Sequence, residues 1–170
     1  MIRMKTFSFI VAAVAAVSLT SCGGDETKGG APAAGEKTTA RPLPVWAFAA
    51  QLSPVNPPAS VKAGSAFTFD VKVLNLSKAS WPSKSDKGDA NVVHLCSHWL
   101  DKAGAMVTFD GKRNTLPEDV EPGKEILVKA GFVAPDKPGE YLLEVDLVQE
   151  MVAWFGVKGS KTARVPVKVE

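Results

Sequence analysis

The chain has 170 residues, with 20 Lys and Arg against 18 Asp and Glu; Arg3 and Lys5 fall in a removable leader, so the remainder is electrically balanced. A balanced chain with no basic run has no electrostatic basis for holding nucleic acid, which excludes that class of partner. Twelve Pro and 14 Gly argue against long helices, and the length suits one domain with a sizeable core rather than a multidomain enzyme, a polytopic membrane protein or a coiled coil.

Met1 to Thr6 carries the positive charges, and Phe7 to Leu19 is apolar apart from Ser8 and Ser18. A helix of that length rises roughly 20 Å, short of the roughly 30 Å of a bilayer's hydrocarbon. The pattern predicts a secretory signal over residues 1–21 rather than a membrane-spanning anchor. Leu19-Thr20-Ser21-Cys22-Gly23 closes it, and this run resembles the lipobox of bacterial lipoproteins. The resemblance implies cleavage after Ser21, a diacylglycerol thioether on Cys22 and acylation of the new amine. At about 0.8 kcal/mol per buried CH₂, two or three acyl chains hold a protein on a membrane permanently. Gly23 and Gly24 stand where a retention Asp sits in enteric lipoproteins, so the resemblance favours the outer membrane of the cell envelope over the inner. The competing reading is an ordinary secretory signal with a coincidental Cys.

Residues 22–41 form the lipidated Cys and a linker. Gly23 to Arg41 holds five Gly, four Ala, three Thr and one Pro, the rest being charged, so it lacks the apolar surface to order itself. A Gly-rich chain of that length has a root-mean-square span of roughly 25 Å.

From residue 42 to 170 alternation takes over. Val45 to Leu52 is a first candidate strand. Ala66 to Val73 places Phe67, Phe69, Val71 and Val73 on one face, and Asn91 to Leu100 and Ala105 to Phe109 follow, the last after the turn Asp101-Lys102-Ala103-Gly104. Lys124 to Ala134 aligns Ile126, Val128, Ala130 and Phe132. Tyr141 to Gln149 puts Leu143, Val145 and Leu147 inward against Glu144 and Asp146 outward. Thr162 to Val169 aligns Ala163, Val165, Val167 and Val169, with Pro166 on the opposite parity as an edge strand tolerates. Period-2 runs separated by Gly, Pro, Asn and Asp predict an all-β fold, an antiparallel sandwich of about seven to eight strands.

Lys137-Pro138-Gly139-Glu140-Tyr141 matches the tyrosine corner of immunoglobulin-like domains, in which the hydroxyl bonds backbone upstream, and Trp99 suits the buried tryptophan of the third strand. Leu143 stands where the inter-sheet Cys would be. With Cys22 acylated, Cys96 is the only thiol and no intramolecular disulfide can form. Across most of residues 61–170, Asn75-Leu76-Ser77-Lys78-Ala79-Ser80-Trp81-Pro82, His98-Trp99-Leu100-Asp101, Arg113-Asn114-Thr115-Leu116-Pro117, Glu121-Pro122-Gly123, Asp146-Leu147-Val148-Gln149-Glu150 and Val152-Ala153-Trp154-Phe155 stand in order. This series resembles the Ig-like accessory domain appended to some bacterial glycosyltransferases and related surface-polysaccharide proteins, and more distantly the four-tryptophan Ig-like domains. The resemblance implies an immunoglobulin-like sandwich with no enzymatic activity of its own.

Two constellations are candidates for function. Trp81 precedes the third strand, and Trp154 and Phe155 follow the sixth. In an Ig topology these loops meet at one end, where with Gln149 and Glu150 they either form an aromatic platform for a sugar ring or plug the core. His94, Cys96 and His98 alternate on one strand face, about 7 Å apart. With Glu144 or Asp146 from a paired strand they are a candidate site for Zn or Cu, although no established metal spacing has this form. No G-x-S-x-G, H-E-x-x-H, P-loop or Ser-His-Asp signature is present. Asp110 to Asn114 reads as a turn, and Glu118 and Asp119 as solvated carboxylates. The sequence therefore predicts a membrane-anchored, non-catalytic binding or interaction module of the cell envelope, with a glycan or an envelope protein as partner and no cofactor. A metal-binding envelope lipoprotein is the alternative.

Overall fold

Apolar side chains at every second position force each strand to bury one face, and two such sheets close on each other here. A computed structural model of the chain describes residues 40–170; the signal peptide expected over 1–21, Cys22 and nearly all of the expected linker lie outside the described residues. The strands are β1 (Ala50–Val55), β2 (Ser60–Val61), β3 (Ala66–Asn75), β4 (Val93–Asp101), β5 (Met106–Thr108), β6 (Asn114–Thr115), β7 (Glu125–Val133), β8 (Gly139–Gln149), β9 (Ala153–Trp154) and β10 (Ala163–Val169). Among the described residues, 3-10 turns at Val45–Ala47 and Gly156–Lys158 are the only helical pieces, and no helix is long and apolar enough to cross a membrane.

One sheet runs β1-β3-β7 and the other β2-β10-β8-β4-β5, with β6 added on β4 and β9 on β8. Every pairing is antiparallel except β10 with β2. This order is that of an immunoglobulin-like sandwich. Six of the seven longer strands fall where the sequence predicts them. The candidate Val45 to Leu52 is corrected, since Val45–Ala47 is a 3-10 turn and the strand runs Ala50–Val55; the two-residue β2, β6 and β9 are too short to leave a periodic signature.

Register lines the inner faces up. Phe69 lies opposite Ala130, Val71 opposite Val128 and Val73 opposite Ile126 in the first sheet. Leu95 faces Leu147 and Trp99 faces Leu143 in the second, and all of these are buried in one core. Each fully buried side chain of this size contributes about 1.5–3 kcal/mol. Trp99 also ties the sheets together, its Nε1 donating to the Val133 carbonyl at 2.9 Å. The tyrosine corner forms as expected: Tyr141 Oη donates to the Lys137 carbonyl at 3.0 Å. Gly139 makes room for that ring, since a Cβ there would sit 3.2 Å from it.

Polar latches hold the ends. Asn75, fully buried, donates from Nδ2 to the carbonyls of Ala79 and Val120 and accepts at Oδ1 from the Ser77 amide and hydroxyl. It thereby fixes the loop that carries Trp81. On β7 the Asn114 side chain acts as a surrogate strand, donating to the Gly131 carbonyl and accepting from the Gly131 amide. On the side of β10 away from β8, the Lys168 and Glu170 amides donate to the Ala59 and Val61 carbonyls, so the strand expected at the edge is partly covered by β2. Pro166 shares the parity of Lys168, so it stands at the open edge with no amide to offer.

Candidate functional site: a cleft on the outer face of the larger sheet

Even-numbered residues of β4 and β8 point away from the core. Cys96 lies opposite Asp146 and His98 opposite Glu144, so the expected neighbourhood of histidines, thiol and carboxylates does form. It is not a solvated face, however. After β8 the chain turns at Met151, and β9 pairs Trp154 with Val148. His94, Cys96, His98, Glu144 and Asp146 are all buried, with Trp154 against His98, Gly156 against Asp146 and Thr162 against Glu144. Gly156 permits the close approach: its amide donates to both Asp146 oxygens at 3.1 Å, and a Cβ would lie 2.8 Å from Asp146 Oδ2.

Trp154 rests on His98 with ring centroids 4.4 Å apart, and Phe109 meets Trp154 edge-on at 5.4 Å. His98 Nδ1 contacts the Phe109 carbonyl; a carbonyl only accepts, so this nitrogen carries a proton. His98 Nε2 lies 3.7 Å from Asp146 Oδ2. Burial alone would lower the His98 pKa, but the contacts with Asp146 and the Phe109 carbonyl, and the charges of Asp146 and Glu144, raise it above 6.5. Burial likewise opposes ionisation of Glu144. Hydrogen bonds from Arg164 Nε and Thr162 Oγ1, each 2.8 Å, overcome that and hold its pKa below 4.5.

These groups floor a cleft of about 250 Å³. Its walls are Met106, Phe109 and Val157, all exposed, with half-buried Trp154 between them; Ser160 and Thr162 add hydroxyls. A larger opening of about 580 Å³ lies between the sheets near Trp99, Lys112, Lys137 and Tyr141, but its tryptophan is buried. The smaller cleft joins an exposed aromatic ring to carboxylates with a shifted histidine.

Trp81 and Phe155 do meet, at 5.0 Å and edge-on, but inside the protein. Both are fully buried, Trp81 Nε1 donates to the Ala47 carbonyl at 2.9 Å, and Phe48 completes the cluster against Phe155. They plug the end of the core, which corrects the platform reading for these two residues: their area is worth more buried than exposed. Gln149 is corrected with them. It is fully buried and latches the incoming chain, accepting from the Leu43 amide and donating to the Arg41 and Asn91 carbonyls. Glu150 is engaged by Arg113 Nε at 2.6 Å. Trp154 is the one predicted aromatic that borders a cleft.

The metal set is corrected too. Among the described residues, no three His, Cys, Asp or Glu side chains converge as ligands. Cys96 is buried, which pushes its thiol up to about 12 against the pull of the Arg113 charge, so at neutral pH it offers no thiolate. His98 is committed to Phe109 and Asp146. His94 Nε2 lies 4.0 Å from Asp89, and its Nδ1 is buried without a hydrogen-bond partner.

Sequence reasoning missed Phe109 and Arg113. Phe109, an aromatic ending a short strand before a polar turn, was open to notice. Arg113, read only as part of that turn, pairs with Asp110 and Glu150 and lies 5.3 Å from the Trp154 ring centroid, the last a contact only the fold creates.

No family model and no curated protein matches the sequence. Among solved structures, the chain is similar to the CARDB domain of a Pyrococcus furiosus protein, at 16% identity and a TM-score of 0.40, over 71% of this chain and 92% of that one. It is similar to the sporulation control protein Spo0M of Bacillus subtilis at 16% identity and 0.45, over 72% of this chain and 49% of that one. A Listeria innocua β-glucosidase matches at 13% identity and 0.43, over 71% of this chain and 16% of the enzyme.

Proposed function

We propose that this chain is a lipid-anchored protein of the bacterial cell envelope whose sandwich binds a glycan in the cleft beside Phe109 and Trp154. The observation that carries the reading is the convergence, at one concave site, of an exposed Phe109 ring with the acceptor groups of Glu144 and Asp146. A sugar ring presents a C–H face that packs on an aromatic and hydroxyls that carboxylates read. The ordered run of positive charge, apolar stretch, Leu19-Thr20-Ser21-Cys22 and Gly-rich linker supports the anchor. The resemblance to Ig-like domains of surface-polysaccharide proteins supports the ligand class.

The reading is binding without turnover. Glu144 is held by Arg164 and Thr162, and Asp146 by the amides of Leu147 and Gly156, so neither is left free as an acid or base. Screening the full chain against an array of bacterial glycans, followed by calorimetry on the best ligand, tests it. Phe109→Ala is expected to weaken binding roughly tenfold, about 1.4 kcal/mol. No glycan bound by the wild type, or equal affinity in Phe109→Ala, rules it out, and capture of an envelope protein instead would replace the ligand.

A further inference from the structure

One end of the sandwich is defined by the start of β1 opposite the end of β3, Ala50 with Asn75, and by the start of β4 opposite the end of β8, Val93 with Gln149. The described chain begins at this same end, where the Arg41 carbonyl and Leu43 amide are latched by Gln149. Apolar side chains project there into solvent: Val45 at 71% and Trp46 at 60% exposure on the 3-10 turn before β1, Leu76 at 57% just beyond β3, and Met151 at 88% just beyond β8. Single exposed hydrophobics are ordinary on a soluble domain; a group at one tip is not.

The tip is rigidly supported. Trp81 Nε1 bonds the Ala47 carbonyl, and the Leu76 amide bonds Ala49 at 2.9 Å. Met151 adds an independent oddity: it sits at φ 62, a left-handed conformation that costs an L-residue about 1–2 kcal/mol and that Gly or Asn adopts more readily. The sequence keeps a long apolar side chain where packing asks for none.

We infer that this end, bearing Val45, Trp46, Leu76 and Met151, docks into the interfacial layer of a lipid bilayer. The inference rests on the anchored reading above. The described chain enters at this end, and a Gly-rich chain as long as the stretch from Cys22 to Ala40 spans roughly 25 Å, so if Cys22 carries acyl chains this is the end nearest the lipid. Tryptophan belongs at that depth, its ring amphipathic and its N–H solvated by headgroups. Docked this way, β4 runs outward from the surface over roughly 30 Å. Trp154, opposite Val148, marks the side of the cleft nearer the membrane, and Met106, opposite Leu100, the side farther from it.

The test uses the processed, acylated full chain on vesicles of phosphatidylethanolamine and phosphatidylglycerol doped with brominated phosphatidylcholine. Co-flotation reads the anchor, and tryptophan quenching reads the docking. Docking predicts quenching that is strongest with bromines near the headgroup, that is lost in Trp46→Phe and that is weakened in Met151→Asp. Co-flotation without quenching, or quenching unchanged in Trp46→Phe, overturns the docking and leaves the anchor standing. Failure of the wild type to co-float removes the anchor and the docking together. Dimerisation of the vesicle-bound chain that shields Trp46 from bromine overturns the docking in favour of self-association.

Discussion

Burial would ordinarily strip His98 of its proton, yet Asp146 and the Phe109 carbonyl hold it above the usual histidine range. A raised folded pKa contributes stability that is complete below the unfolded value of about 6.5 and disappears as pH climbs through the folded one. Urea unfolding at a series of pH values should therefore show the wild type losing more stability above about pH 6.5 than His98→Gln does. Glu144, with its lowered pKa, has the opposite sign: its contribution is present above about 4.5 and lost on acidification. Residue by residue, legibility followed locality. The Tyr141 hydroxyl bond spans four residues and was visible in Lys137-Pro138-Gly139-Glu140-Tyr141. Whether Trp81 and Phe155 were ligand or core was not, because Ala47 and Phe48, which bury them, lie far away in the chain.

At the level of elements, period-2 alternation identified the inner faces of β3, β7, β8 and β10, as Phe69, Val71, Val73, Ile126, Val128 and Ala130 show by lying in the core. It said nothing about what covers the other face. Glu144 and Asp146 looked outward from their parity and are buried where Gly156 bonds Asp146 and Thr162 and Arg164 bond Glu144, contacts without a local signature. The loop between β5 and β6 shows how tightly such coverings are built. The Gly111 amide donates to the Ser97 carbonyl at 3.0 Å, and a Cβ at Gly111 would lie 2.6 Å from that carbonyl and from Ser97 Oγ. The backbone contact leaves nothing flexible to yield, so Gly111→Ala should shift the loop, with Phe109 two residues before it. The expected outcome is a His98 titration moved toward its ordinary midpoint, read by NMR of the imidazole, and, under the glycan reading proposed above, weaker binding by calorimetry.

For the whole molecule, an immunoglobulin-like sandwich stands without a disulfide: Cys96, the free cysteine among the described residues, is buried in packing. Under the anchored reading proposed above, Cys22→Ser should move the protein from the membrane pellet to the soluble fraction without changing its thermal midpoint, as fractionation and calorimetry would show. Anchored copies share a plane and meet at local densities far above those in bulk solution, which exposes any bare strand edge to repeated encounters with its own kind. On the side of β10 away from β8, β2 takes up Lys168 and Val169, and Pro166 withholds a donor from the stretch beyond. Under the anchored reading, a neighbour attempting to extend the sheet there would find a missing donor midway, and this edge resists such pairing.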